Sequence, residues 1–127
     1  PRLKMHCLSD NASIVSAISN DMANDEIFAY QLENLAAAND LVICLSVSGK
    51  SQNLVNAVER GRLLGCHTVA IIGDYDGILG KLCDHCITVK SKNYGVVEDI
   101  QLILNHIMYQ YIKSLSSVSA SIPGGGL

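Results

Sequence analysis

The apolar and polar positions of the chain keep two rhythms. From Leu41 to Leu45 five apolar residues run without alternation. Ser46-Val47-Ser48-Gly49-Lys50-Ser51 follows, small and hydroxylic, and then Leu54, Ala57, Val58, Gly61 and Leu64 recur at helical spacing. An unbroken apolar run of that length predicts a strand covered on both faces, as parallel strands in an α/β sandwich are. The spacing behind it predicts an amphipathic helix, with Gly65 as its C-terminal cap. His67 to Ile72 reads as a second buried strand, Gly73-Asp74-Tyr75-Asp76-Gly77 as a loop, Ile78 to Cys83 as a short helix and Cys86 to Val89 as a last strand.

Upstream, Leu3 to Leu8 is a short strand candidate. Ser9, Asp10 and Asn11 are good N-caps for a short helix carrying Ile14, Ala17 and Ile18. A second helix is expected over Asp25 to Ala38, with Ile27, Phe28, Leu32, Leu35 and Ala36 facing inward and Asn39-Asp40 as its stop. The last helix is expected from Val96 to Ser114. Ile100, Ile103, Leu104, Ile107 and Tyr111 share one face of it, and Glu98, Gln101, Asn105 and Tyr109 share an adjoining polar arc of roughly 80°. Residues 1–115 form the expected domain, and 116–127 a flexible tail of small residues. Strands alternating with helices through short loops predict an α/β fold, a three-layer α/β/α sandwich on a parallel, flavodoxin-like sheet with right-handed crossovers. Such a sheet normally opens with a βα unit whose strand lies centrally, so the sheet is expected to lack its N-terminal βα unit in this chain.

Composition narrows the function classes. With 49% hydrophobic and 17% charged residues, the 127-residue chain is globular rather than disordered. A net charge of −3 gives no reason to expect nucleic acid or an anionic membrane as partner. No apolar run approaches the roughly 20 residues of a membrane span. Five cysteines and no visible secretory signal fit a reducing, cytoplasmic compartment, and their odd number argues against a disulfide framework.

The chemistry-bearing residues centre on the hydroxylic loop. A helix N-terminus favours an anion through free N–H groups and the dipole, and hydroxyls add donors without bulk. Ser46, Ser48 and Ser51 stand there, at the carboxyl end of a buried strand where open α/β sheets bind ligands. Turn and cap chemistry alone needs fewer hydroxyls, so the cluster reads as a phosphate cradle. A Walker A loop would need glycine five places before Gly49, and Cys44 stands there. Cys83-Asp84-His85-Cys86 holds a C-x-x-C without a second ligand pair, and it leads into a strand rather than out of one. Buried or half-buried thiols are therefore expected in preference to zinc or redox chemistry. His6, His67 and His85 lie at strand ends without a partner, and His106 points away from the polar arc.

Taken together, Leu8-Ser9-Asp10, Ser19-Asn20-Asp21, the loop Ser46 to Ser51 against a family pattern of S-T-S-G-N-S, Gly73 to Gly77, and Tyr94-Gly95 followed by Glu98-Asp99-Ile100-Gln101 resemble the sugar isomerase (SIS) domain, within it the phosphoheptose isomerase branch. The likeness runs in order along nearly the whole chain. It implies a phosphorylated sugar as ligand, aldose–ketose isomerisation of sedoheptulose 7-phosphate as activity, and a homo-oligomer, a tetramer by resemblance, with sites shared between subunits. Ser46, Ser48 and Ser51 would hold the phosphate with the Val47 backbone. Asn20 and Asp21 would lie near the sugar, and Gln101 would face the reacting end or a metal.

Departures are equally specific. The family's catalytic glutamate precedes the point where this chain starts. Its histidine base, eight residues after the glutamine, is Tyr109 here, so the zinc site lacks its second ligand and no cofactor or metal is expected. A phenol, with a pKa of about 10, is a weak base at neutral pH, which leaves Glu98 as the best carboxylate beside Gln101 and Tyr109. The alternatives are a non-catalytic SIS module that binds a sugar phosphate or a protein, and a flavodoxin-like nucleotide binder.

Overall fold

The computed structural model describes residues 4–120, with side chains to residue 115. Its elements are α1 (Ala12–Asp21), a 3-10 turn (Asn24–Glu26), α2 (Ala29–Leu35), β1 (Leu41–Ser46), α3 (Gln52–Leu63), β2 (His67–Gly73), α4 (Leu79–Leu82), β3 (His85–Val89) and α5 (Tyr94–Ala120). The three strands are parallel in the order β1-β2-β3. Their register aligns Leu41 with His67 and Val69 with His85.

One face of the sheet is closed. Cys44, Ala70 and Ile72 meet Val55 and Val58 of α3 and Leu79 of α4, with Val42, Leu54, Leu82 and Cys83 at the margin. Helix α2 packs on the outer side of α3. There Arg60 and Glu33 form an ion pair, and Asn56 Nδ2 donates to Glu26 Oε1 at 2.8 Å and to the Asp25 carbonyl. The expectation of strand, loop and helix in direct succession holds for β1, the serine loop and α3.

The other face is partly open. Helix α5 seats Val97, fully buried, and Gln101 against β2, its main strand contact among the described residues. Leu41, Ile43 and Leu45 of β1 therefore remain exposed, and so does Ile87 of β3. This corrects the reading of β1 as a strand covered on both faces: burial alternates along it because only the α3 side is filled within the chain. On the apolar face shared along the last helix, Ile103, Ile107 and Tyr111 are likewise exposed.

Three further expectations change. Residues 4–7 form no strand, and Met5 is exposed; Leu3 lies outside the described residues. The segment joins no edge of the sheet, and Gln31 Nε2 donates to the Leu8 carbonyl at 3.0 Å. The second helix is split into the 3-10 turn and the shorter α2. It ends at Leu35 although three alanines follow, because Ala37 N–H donates to Asp40 Oδ2 at 2.8 Å and Ala36 is extended. Leu35 faces solvent, while Ala29 and Gln31 take inward positions. Finally, α5 begins at Tyr94, where Asn93 Oδ1 accepts from Val96 N–H, and its backbone continues through Ala120; 121–127 lie outside the described residues.

Candidate functional site

The serine loop lies between the carboxyl end of β1 and the first turn of α3. Gly49 N–H donates to Ser46 Oγ at 3.0 Å, and Lys50 N–H donates to Ser48 Oγ at 3.2 Å. Each hydroxyl accepts from the loop and keeps its own O–H as a donor. Ser51 occupies the N-cap of α3 yet makes no side-chain cap bond, so among the described residues its hydroxyl is not spent on capping the helix. Turn chemistry thus accounts for one function of two serines and for neither function of the third.

The loop is held from behind by the segment after β2. Gly49 has φ +66, a left-handed conformation that glycine adopts without strain. Gly77 packs on it so closely that a Cβ at Gly77 would stand 2.5 Å from Gly49 Cα. Gly73 N–H donates to the Val47 carbonyl at 2.9 Å, and Leu79 N–H donates to the Gly49 carbonyl at 3.1 Å. A third loop joins them: Asp74 N–H donates to the Ser91 carbonyl at 3.0 Å, the Tyr75 hydroxyl donates to the Lys92 carbonyl, and Tyr75 meets Tyr94 edge to face at 5.8 Å. All three loops at the carboxyl end of the sheet and the start of α5 are therefore tied together, a backbone fixed before any ligand arrives.

Gln101 is buried, and its Nε2 donates to the Ile71 carbonyl at 2.8 Å. One donor of this amide therefore serves as a rivet between α5 and β2. Glu98 lies one turn earlier, exposed, and Tyr109 lies farther along with 61% of its surface exposed. Eleven residues of helix separate Glu98 from Tyr109, about 16 Å of rise, so the two do not meet at one centre within a protomer. Asn20 and Asp21 close α1, exposed, with Asn20 Nδ2 donating to Asp21 Oδ1 at 3.3 Å. Among the described residues no hydrogen bond or ion pair connects them to the serine loop. The structure brings together Ser46, Val47, Ser48 and Ser51; it leaves Asn20, Asp21 and Tyr109 at the surface.

Among the described residues no three His, Cys, Asp or Glu side chains converge on one point. All five cysteines are free thiols. Burial, with a smaller contribution from Cys83, pushes the Cys44 thiol up to about 12, and burial also raises Cys83 and Cys66, so none of the three is poised as a nucleophile. Cys86, expected to be at least half-buried, is exposed, because β3 is an edge strand among the described residues. At the opposite end of the sheet Asp84 accepts from Thr68 N–H at 2.8 Å and from Thr68 Oγ1 at 2.9 Å. Those bonds hold its carboxyl below the usual aspartate range.

Sequence reasoning passed over two residues here. Gly77 entered only as the end of a turn, although a second glycine in a loop after the neighbouring strand is a signal of close backbone approach. Asn53, in the first turn of α3, carries a buried Oδ1 without a hydrogen-bond partner, an acceptor open to a hydroxyl or ammonium donor. No sequence pattern marks it out from an ordinary helix asparagine.

The SIS domain model matches residues 3–73. Phosphoheptose isomerase from Aliarcobacter butzleri is 35% identical over 107 residues, covering 84% of this chain and 57% of that protein. The probable phosphoheptose isomerase of Thermoplasma volcanium is 35% identical over 84% of this chain and 55% of its own length. The chain thus spans a little over half the length of these curated relatives. Among solved structures, a phosphoheptose isomerase from Neisseria gonorrhoeae superposes with a TM-score of 0.81 at 27% identity, over 84% of this chain and 60% of that one. One from Francisella tularensis shares the fold at the same TM-score and 24% identity. The chain belongs to the SIS domain family, on its phosphoheptose isomerase-like branch.

Proposed function

We propose that this protein binds a phosphorylated sugar in the serine loop and takes part in aldose–ketose isomerisation of the phosphoheptose type, with sedoheptulose 7-phosphate as substrate. The observation that carries the proposal is the loop's pre-set donor array: the uncommitted Ser51 hydroxyl, the O–H groups of Ser46 and Ser48, and the helix N-terminus behind them. The relatives' name supports the substrate class. In this reading Ser46, Ser48 and Ser51 grip the ester with the Val47 backbone, Gln101 sets the floor of the site, and Glu98 moves the proton between adjacent carbons.

Because Glu98 and Tyr109 stand about 16 Å apart on one helix, a site using both needs two subunits. The reading therefore includes a homo-oligomer, in which the exposed end of α1, bearing Asn20 and Asp21, and the exposed middle of α5, bearing Tyr109, reach a neighbour's serine loop. A cytoplasmic location belongs to the same proposal, supported by five free thiols; among the described residues no helix is long and apolar enough to cross a membrane.

A second reading has its own support. With Tyr109 exposed where the family places its histidine, the chain also fits a non-catalytic SIS module that binds a sugar phosphate. A coupled assay with sedoheptulose 7-phosphate, run beside calorimetry, separates the two. Turnover that falls on Glu98→Gln supports the enzyme; saturable binding without turnover supports the module. Absence of both contradicts the phosphosugar reading.

A further inference from the structure

We infer that Lys50 supplies the formal positive charge of the anion site and makes the serine loop selective for a dianionic phosphate ester. The inference rests on the reading of the loop as a phosphate cradle and adds to it the one ammonium group that the loop Ser46 to Ser51 carries.

The loop otherwise has little charge to offer. Its hydroxyls are neutral, and the N–H groups of Gly49 and Lys50 are committed to Ser46 Oγ and Ser48 Oγ. The end of α3 contributes about half an elementary charge. A phosphate monoester carries nearly two negative charges at neutral pH, and the chain as a whole carries −3. At the same end of the sheet Lys81 is paired with Asp76 at 3.4 Å and Lys90 with Asp74 at 3.3 Å, so both are already neutralised. Lys50 is exposed and stands between two residues of the cradle. Among the described residues it takes part in no ion pair. Lys92, on the loop after β3, is the other unpaired lysine near this end, and it serves as the control.

Calorimetric titration of the protein with sedoheptulose 7-phosphate and with inorganic phosphate, at low and at high salt, tests the assignment. Wild type should bind more weakly as salt rises. Lys50→Asn, a neutral amide, should still bind but on the order of ten-fold more weakly at low salt, with most of the salt dependence gone. Lys50→Arg should keep both affinity and salt slope, Lys92→Gln should match wild type, and circular dichroism confirms that each variant folds. The inference is overturned if Lys50→Asn binds like wild type with an unchanged salt slope while Ser48→Ala and Ser51→Ala weaken binding, in which case the cradle stands without it. It is also overturned if Lys92→Gln shows the loss in its place. If the wild-type protein binds neither probe, or the serine variants leave binding unchanged, the cradle reading fails and the role of Lys50 fails with it.

Discussion

On the face covered by α3 and α4 the sheet is closed by side chains from within the chain, and Val58, Ala70 and Leu79 have no exposed surface. On the face covered by α5, Val97 is equally buried, yet Leu41 is 56% exposed, Ile87 45% and Ile107 57%. The sequence wrote both faces in apolar residues, and only one is filled by this chain's own helices. Residues 100–112 of α5 also lack a single formal charge. A helix of that composition is matched to a more enclosed setting than the described residues provide, as a subunit interface would be. The difference teaches that the closed face sets the stability of the domain, whereas the open face bears on assembly only in the proposed oligomeric reading. The serine loop gains its rigidity from the first and, in the oligomeric reading, its sugar-facing neighbours from the second.

The contrast is testable by substitution. The largest effect is expected at Leu79→Ala on the closed face, about 3 kcal/mol lost in chemical denaturation, because a fully buried side chain leaves a cavity. Gly77→Ala should cost roughly 2 kcal/mol and also weaken phosphosugar binding, since the new methyl group drives into Gly49. An equal loss of stability with unchanged binding would break the link between the glycine contact and the site. Gln101→Met removes the rivet to Ile71 and should cost about 1 kcal/mol by the same measurement.

Asp84→Asn tests the far end of the sheet through pH. The folded-state acidity of Asp84 is depressed, so its contribution is present above the ordinary aspartate value of about 3.9 and is lost as pH falls through the depressed one. The melting temperature of the variant should lie below wild type at neutral pH, with the gap closing in acid. A gap that stays constant would assign the effect to packing rather than charge. The smallest change in domain stability is expected for Ile107→Ser, within about 0.5 kcal/mol. Its readout is sedimentation: a shift toward smaller species supports the open face as an interface, and an unchanged distribution removes it from that role.

Legibility in the sequence followed how local the determinants were. Strand β1, the serine loop and α3 were readable because an apolar run, a hydroxylic turn and a helical period each act within a few residues. Gly65 was readable as a helix stop and has φ +80. Over residues 4–8 the expected strand does not form, because pairing is a property of neighbours that the segment's own composition does not reveal. Ala36 to Ala38 left the helix because a carboxylate at Asp40 competed for a backbone N–H, against the best helix former. At the candidate site, the grouping of Ser46, Ser48 and Ser51 in one loop is legible from their spacing. The tie from Gly77 to Gly49 and the anchoring of Gln101 on Ile71 depend on chain segments brought together only by the sheet.

The central claim is that the serine loop grips a phosphate ester, and nitrogen-15 NMR titration with sedoheptulose 7-phosphate tests it most directly. The account predicts saturable shifts concentrated on the amides of residues 48–53, with those at the Thr68–Asp84 end unmoved. Shifts that leave the loop untouched, or none at all at saturating ligand, would contradict it.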